Sequence, residues 1–208
     1  MSDRVATLRS MSATGSGVLH AWVDESVHSG PGVQRPSYLL AATMTASETC
    51  PSVREALRGL LLPSARRLHW RDESDRRQIE IATAIAAQDL LHTVVIGIPV
   101  DSRRQERARR LCMERLLIEL AGLGVQRIWL ETRTESLNAK DLAMVAAVRG
   151  KRLLPGDTFV DFARPLDEPM LWVPDAVAGA VGAKRKGRNP TPRDLLGASV
   201  EEITIELT

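Results

Sequence analysis

The chain has 208 residues, the size of one α/β domain, and its 44% hydrophobic and 26% charged residues exclude collagen-like, mucin-like and wholly disordered proteins. The net charge is +2, from 28 basic and 26 acidic residues, so the total neither requires nor excludes a polyanionic partner. No apolar run approaches the ~20 residues of a bilayer span, and two cysteines are too few for a disulfide framework, so we expect a reduced, cytoplasmic protein without a membrane segment.

Patterns along the chain predict a short tail and one domain. Residues 1–17 are rich in Ser, Thr and Gly and have no periodicity, so we expect a disordered tail followed by a single domain over residues 18–208. β-Branched and apolar runs bounded by turn residues predict strands at 18–24, 38–45, 91–100, 125–131 and 158–163, with a last edge strand at 202–207. Apolar residues at helical spacing predict helices at 52–62, 75–89, 101–121, 138–148 and 174–183.

The order of these elements indicates the fold class. Two strands, a helical insertion and a third strand come first, and alternating helices and strands follow. This order favours a mixed sheet flanked by helices, with parallel pairing in the second half. It matches the ribonuclease H-like fold, an α/β class, with a helical insertion between the second and third strands.

Two predicted strands each place a tryptophan two residues before an acid at the strand's C-terminal end, in Trp22-Val-Asp24 and Trp129-Leu-Glu131. If these strands are parallel neighbours, they lie ~4.8 Å apart and the two carboxylates emerge side by side. Open α/β sheets bind ligands at that edge. Adjacent carboxylates repel unless a proton or a cation bridges them, and oxygen ligands suit Mg²⁺ or Mn²⁺. The alternative is that both acids merely end their strands and face water.

Other acidic residues are weaker candidates. Asp175 opens a predicted helix in which Gly179 would permit close packing on the sheet, and its alternative role is that of an N-cap. Asp141 lies near another helix start and is a candidate of the same kind. Glu106 and Glu114 lie on the helix after the third strand, where a solvated face among arginines is the simpler interpretation.

Four segments together resemble a known family. They are Ala21-Trp-Val-Asp-Glu-Ser26, Leu68-His-Trp70, Leu130-Glu-Thr-Arg133 and Trp172-Val-Pro-Asp-Ala-Val-Ala-Gly-Ala180. Over residues 19–183 the chain resembles the bacterial family catalogued as domain of unknown function 3800, which is regarded as ribonuclease H-like. That family has an Asp-Glu pair near its N-terminus and a Gln-x-x-Asp element near its C-terminus. Asp24 and Glu25 match the first element and Asp175 matches the aspartate of the second, whereas Trp172 replaces the glutamine and loses any amide contact made there.

The resemblance implies a set of site residues. In ribonuclease H-like enzymes, acids on the first strand, the fourth strand and a late helix bind two divalent cations, and the matching positions are Asp24, Glu131 and Asp175. Mg²⁺ or Mn²⁺ bound there would activate water and stabilise the leaving oxygen of a phosphodiester. Glu25 and His69 are further catalytic candidates, His69 because a loop imidazole at the active edge can transfer protons near neutral pH. The alternative is that His69 anchors the helical insertion.

Five basic residues occupy positions 184–193, directly after the predicted Asp175 helix. The helix dipole accounts for part of this run, and the remainder predicts a flexible basic arm that contacts substrate phosphates. The candidates for nucleic-acid binding are Lys184, Arg185, Lys186 and Arg188. With four Trp, one Tyr and two Phe in the chain, stacking of bases on an aromatic platform is not expected.

The sequence therefore predicts a divalent-metal-dependent nuclease or other phosphodiester-processing enzyme with a nucleic-acid partner. The alternative is a non-catalytic module on the same fold, in which the acids shape a binding surface for nucleic acid or a protein. Metal dependence separates the two hypotheses. Neither the choice between RNA and DNA nor the oligomeric state follows from the sequence.

Overall fold

The computed structural model describes residues 17–28 and 35–207, so residues 1–16 of the predicted tail lie outside the described residues. Within these ranges six strands form one sheet in the order β5-β4-β1-β2-β3-β6. The strands are β1 (Leu19–His28), β2 (Ser37–Ala46), β3 (Leu91–Ile98), β4 (Arg127–Glu131), β5 (Phe159–Ala163) and β6 (Val200–Glu206).

The helices are α1 (Cys50–Gly59), α2 (Asp75–Ala86), α3 (Gln105–Gly122), α4 (Glu135–Gly150), α5 (Trp172–Arg185) and α6 (Thr191–Leu196). Short 3₁₀ turns lie at Trp70–Asp72, Ser102–Arg104, Pro169–Leu171 and Gly197–Ser199. The predicted helical insertion between β2 and β3 is confirmed as α1 and α2. Helix α6 was not predicted from the sequence, because its six residues are too few for a helical period to show.

The pairing of the strands is mixed, as predicted. β1, β2 and β3 pair antiparallel, whereas β4 pairs parallel with β1 and with β5, and β6 pairs parallel with β3. The predicted last edge strand is confirmed as β6. This arrangement, with helices on both faces of the sheet, confirms the predicted α/β fold class, a mixed sheet flanked by helices.

Both faces of the sheet are covered, so the central strand β2 is buried along all its ten residues. One face packs on α3 and α4, with Leu40 and Ala42 of β2 in that core. The other face packs on α1, α2 and α5, with Leu39 and Trp22 in that core. Residues two apart on a strand share a face, so Asp24 points to the same side as Trp22, toward α5.

The two cysteines are Cys50 and Cys112, and both are free, buried thiols. Across the described ranges, no helix combines the length and the apolar composition needed to cross a bilayer.

Candidate active site

A cleft of about 810 Å³ opens where β1 and β4 end, against the first turns of α5 and the loop that follows α1. Its lining includes the four acids that the sequence assigned to the catalytic site, together with His69 and several cations. The acids are Asp24, Glu25, Glu131 and Asp175. The predicted convergence of these residues at the carboxyl edge of the sheet is therefore observed.

Asp24 and Glu131 form the centre of the cleft. Trp22 lies opposite Trp129 and Val23 opposite Leu130 in the parallel pair β1 and β4, so the next residues are neighbours. Asp24 Oδ1 accepts a 2.7 Å hydrogen bond from the Glu25 amide, and the Glu131 carboxyl lies close enough to act on the pKa of Asp24. Burial, the charge of Glu131 and the charge of Asp175 raise the pKa of Asp24 well above its ordinary 3.8, against the attraction of Arg109. Two carboxyl groups in such contact need a proton or a cation between them.

Asp175 reaches the same cleft from α5. The helix begins at Trp172, so Asp175 lies in its first turn and the predicted N-cap role is wrong. Its Oδ2 instead accepts a 2.8 Å hydrogen bond from the backbone N–H of Trp70. Burial raises the pKa of Asp175, although the Trp70 hydrogen bond opposes the shift. One turn further along α5, a Cβ on Gly179 would lie 2.0 Å from Trp70 Cδ1, so this glycine lets the indole pack where its backbone can hold Asp175.

His69 and Trp70 divide the two roles that the sequence left open. Trp70 is buried in the core between the insertion and α5, so it anchors the helical insertion. His69 lines the cleft, where its charge lowers the pKa of Asp175. Its Nδ1 lies 3.1 Å from Asp72 Oδ2, so Nε2 is the ring nitrogen outside this contact.

Glu25 also lines the cleft, but its carboxylate forms an ion pair with Arg109 behind it. Arg109 is only 3% exposed and donates to both carboxylate oxygens of Asp141, with its Nη2 at 2.8 Å from Oδ2. Its Nη1 also donates to the Tyr38 hydroxyl at 3.3 Å. The proposal from sequence that Asp141 is a site candidate is wrong, because this buried carboxylate neutralises Arg109.

The other helix acids are paired as well. Glu106 accepts a 2.7 Å hydrogen bond from Arg133, which also donates to Asp141, and Glu114 forms an ion pair with Lys151. Sequence reasoning missed Arg109, because its neighbours Arg107 and Arg110 are exposed and look the same in sequence. Only the helical position that faces the sheet distinguishes it.

The predicted flexible arm is wrong for two of its four residues, because Lys184 and Arg185 belong to the last turn of α5. Lys184 forms an ion pair with Asp194 of α6 at 2.6 Å, and Arg185 forms one with Glu202 of β6 at 3.7 Å. Lys186 and Arg188 instead line the cleft.

The chemistry of the donors fits a hard divalent cation, because three carboxyl side chains line one cleft and the charge of Glu131 acts on Asp24. Among residues 17–28 and 35–207, no three His, Cys, Asp or Glu side chains stand at the spacing that a metal ion requires.

Comparisons with known proteins give little beyond this geometry. No family model matches the sequence, and no curated protein matches it, so the resemblance to the domain of unknown function 3800 family stays a prediction. Among solved structures, the chain is similar to ribonuclease HII of Archaeoglobus fulgidus, determined in complex with PCNA. The identity is 16% over 86% of this chain and 87% of that one, with a TM-score of 0.48. At this level the likeness carries no information on activity.

Proposed function

We propose that the protein is a divalent-metal-dependent nuclease or a related phosphodiester-processing enzyme, with Asp24, Glu131 and Asp175 as ligands of Mg²⁺ or Mn²⁺. The observation that carries the proposal is the close approach of Asp24 and Glu131 at the ends of two paired strands, with Asp175 in the same cleft. Such a pair is unfavourable unless a proton or a cation offsets its charge, and oxygen donors favour hard cations.

A bound divalent cation would supply Lewis acidity toward an attacking water and a leaving oxygen. The protein's own part is positioning. The Trp70 amide fixes one oxygen of Asp175, and the Glu25 amide fixes one oxygen of Asp24, so backbone donors hold both carboxylates in place. His69 can accept or return a proton at Nε2, because Asp72 holds its other ring nitrogen.

Cations beside this acidic centre support a nucleic acid as the substrate. Lys186 and Arg188 line the same cleft and would offset the charge of a phosphodiester backbone. A purely acidic cleft would repel such a substrate, and a purely basic one would lack the ligands for a metal.

The experiment is a cleavage assay on single-stranded RNA, single-stranded DNA, both duplexes and the hybrid, with Mg²⁺, with Mn²⁺ and with chelator. We expect cleavage of at least one substrate with metal only, and its loss in Asp24→Asn, since a neutral amide is a poor ligand for a hard cation. Asp161→Asn is the matched control, because Asp161 is an exposed strand carboxylate whose Oδ1 accepts from the next backbone amide, as Asp24 does.

The outcomes are distinct. Cleavage that persists in Asp24→Asn overturns the site assignment. Nucleic-acid binding that is the same in metal and in chelator, with no cleavage of any substrate, indicates the non-catalytic binding module instead.

A further inference from the structure

Four exposed cations from two separate segments also line the cleft. Arg67 and Arg71 come from the loop and turn that precede α2, and Lys186 and Arg188 follow α5. Among the described residues, none of the four forms an ion pair with a carboxylate, and the charge of Arg71 and of Arg188 acts on Lys186. Clustered cations without counter-charges repel one another, so this surface is suited to an anion.

Among the described residues, the two that precede Lys186 in the chain have carboxylate partners that Lys186 lacks. Lys184 and Lys186 are two residues apart and both exposed, yet Lys184 pairs with Asp194 while Lys186 does not pair with any described acid. Arg185 likewise pairs with Glu202 on the far side. Lys184 and Arg185 are therefore neutralised by acids outside the cleft, whereas Lys186 is not paired with any described acid.

Lys186 is held in place rather than merely solvated. Its Nζ lies 2.6 Å from His28 Nδ1, to which the ammonium donates, and His28 Nε2 lies 3.4 Å from Ser26 Oγ. A Cβ on Gly182 would lie 2.0 Å from His28 Nε2, so α5 accommodates the imidazole by having no side chain there. Burial and the charges of Lys186, Arg71 and Arg188 lower the pKa of His28 to about 4, which keeps the ring an uncharged acceptor at neutral pH.

We infer that Lys186, Arg71 and Arg188 form a subsite for one phosphate group of the nucleic-acid substrate, separate from the phosphodiester that the carboxylates process. The inference rests on the proposed function for the identity of the strand. An ammonium and two guanidinium groups offer donors to several phosphate oxygens at once, and the guanidinium fork matches two of them. The phosphate group belongs either to an internal linkage or to a strand end, and the experiment separates these two sources.

The first measurement is binding of a labelled oligonucleotide in chelator, as a function of salt. Lys186→Ala is expected to weaken binding in every sequence context and to lower the slope of log affinity against log salt by roughly 0.7 to 0.9. Lys184→Ala is the matched control and should leave the slope unchanged, because Lys184 is neutralised by Asp194. Equal effects of the two variants would overturn the inference, since both lysines would then act only through overall charge.

The second measurement locates the phosphate. Single methylphosphonate linkages, which carry no charge, are placed one at a time along the strand, and strands with a 5′-phosphate are compared with strands with a 5′-hydroxyl. We expect one position at which removal of the phosphate charge weakens binding of the parent protein. At that position the uncharged linkage should not weaken binding of Lys186→Ala any further, because both changes remove the same contact. Additive losses at every position, internal and terminal, would contradict a discrete subsite.

These results are independent of the carboxylates. In Asp24→Asn the subsite is intact, so this variant should keep the same salt slope and the same sensitive position in chelator. If no metal-dependent cleavage is found but the sensitive position exists, the proposed enzyme activity fails and the subsite stands. If metal-dependent cleavage is found but no such position exists, the subsite fails and the proposed enzyme activity stands.

Discussion

Removing one charge from the carboxyl pair should make the metal-free protein more stable. The perturbation is Asp24→Asn, which keeps the size of the side chain and replaces a carboxyl by an amide that can donate to Glu131. In the parent, desolvation and the charge of Glu131 disfavour ionised Asp24, as its raised pKa shows. The variant has no such penalty, so its free energy of unfolding should be larger at neutral pH.

The size of the effect follows from the contact. At pH 7 the parent must keep a proton on a carboxyl with an ordinary pKa of 3.8, which costs about 4 kcal/mol, or hold two charges. Two carboxylates ~4 Å apart at an effective dielectric near 20 also repel by about 4 kcal/mol. Attraction by Arg109 and solvent relaxation reduce both figures. We expect a gain of about 1 to 3 kcal/mol, or roughly 2 to 4 °C in melting temperature for each kcal/mol.

The direction of the pKa shift of Asp24 determines how the stability difference between the two proteins changes with pH. Because the pKa of Asp24 is higher in the folded protein than in the unfolded chain, its contribution to parent stability is fully present below pH 3.8 and is lost as pH rises through the folded value. The advantage of Asp24→Asn should therefore grow over the same interval and stay constant above it.

Urea unfolding and thermal melts in chelator, from pH 3 to pH 8, measure this difference, with Asp161→Asn as the control that removes an exposed carboxylate outside the cleft. Mg²⁺ or Mn²⁺ should then raise the melting temperature of the parent and not that of Asp24→Asn, since a ligand stabilises only the state that binds it. A variant no more stable than the parent at pH 7, or a gain that is unchanged at pH 3, would show that the two carboxyls do not repel.

Two further predictions concern the groups that hold the cleft. Arg109→Leu should lower the free energy of unfolding by about 3 to 5 kcal/mol in urea titration, because Asp141 is left charged and buried. The double variant Arg109→Leu with Asp141→Leu should lose less stability than the sum of the two single variants. Additive losses would exclude an energetic coupling between the two residues. Gly179→Ala should lower the free energy of unfolding by about 1 to 3 kcal/mol, because the new Cβ collides with Trp70. Gly150→Ala is the control, at a helix end with no atom within 4 Å of the new Cβ, and it should be neutral or stabilising by up to ~1 kcal/mol. Equal losses of stability at the two glycines would contradict this account of the packing.

The sequence by itself determined the sheet and its acidic edge. Alternation with a period of two is a local property, so Trp22 and Asp24, and likewise Trp129 and Glu131, could be assigned to one face of each strand without knowing any partner. The order of strands and helices then favoured parallel pairing of the second half, and the register of β1 with β4 agrees. Face and direction predicted that Asp24 and Glu131 lie side by side if the two strands are neighbours, and the pairing of β1 with β4 meets that condition.

Only the tertiary structure decided which charges are neutralised. The local sequence does not distinguish Lys184 from Lys186, because the side chains are identical and only two positions apart. The same holds for Arg109 and its exposed neighbours. Their roles differ because segments distant in sequence supply the partners: Asp194 for Lys184, Asp141 for Arg109 and His28 for Lys186. The contact between the Trp70 amide and Asp175, 105 residues apart, has the same origin. The energy of a charge depends on what surrounds it in space, and folding alone brings those surroundings together.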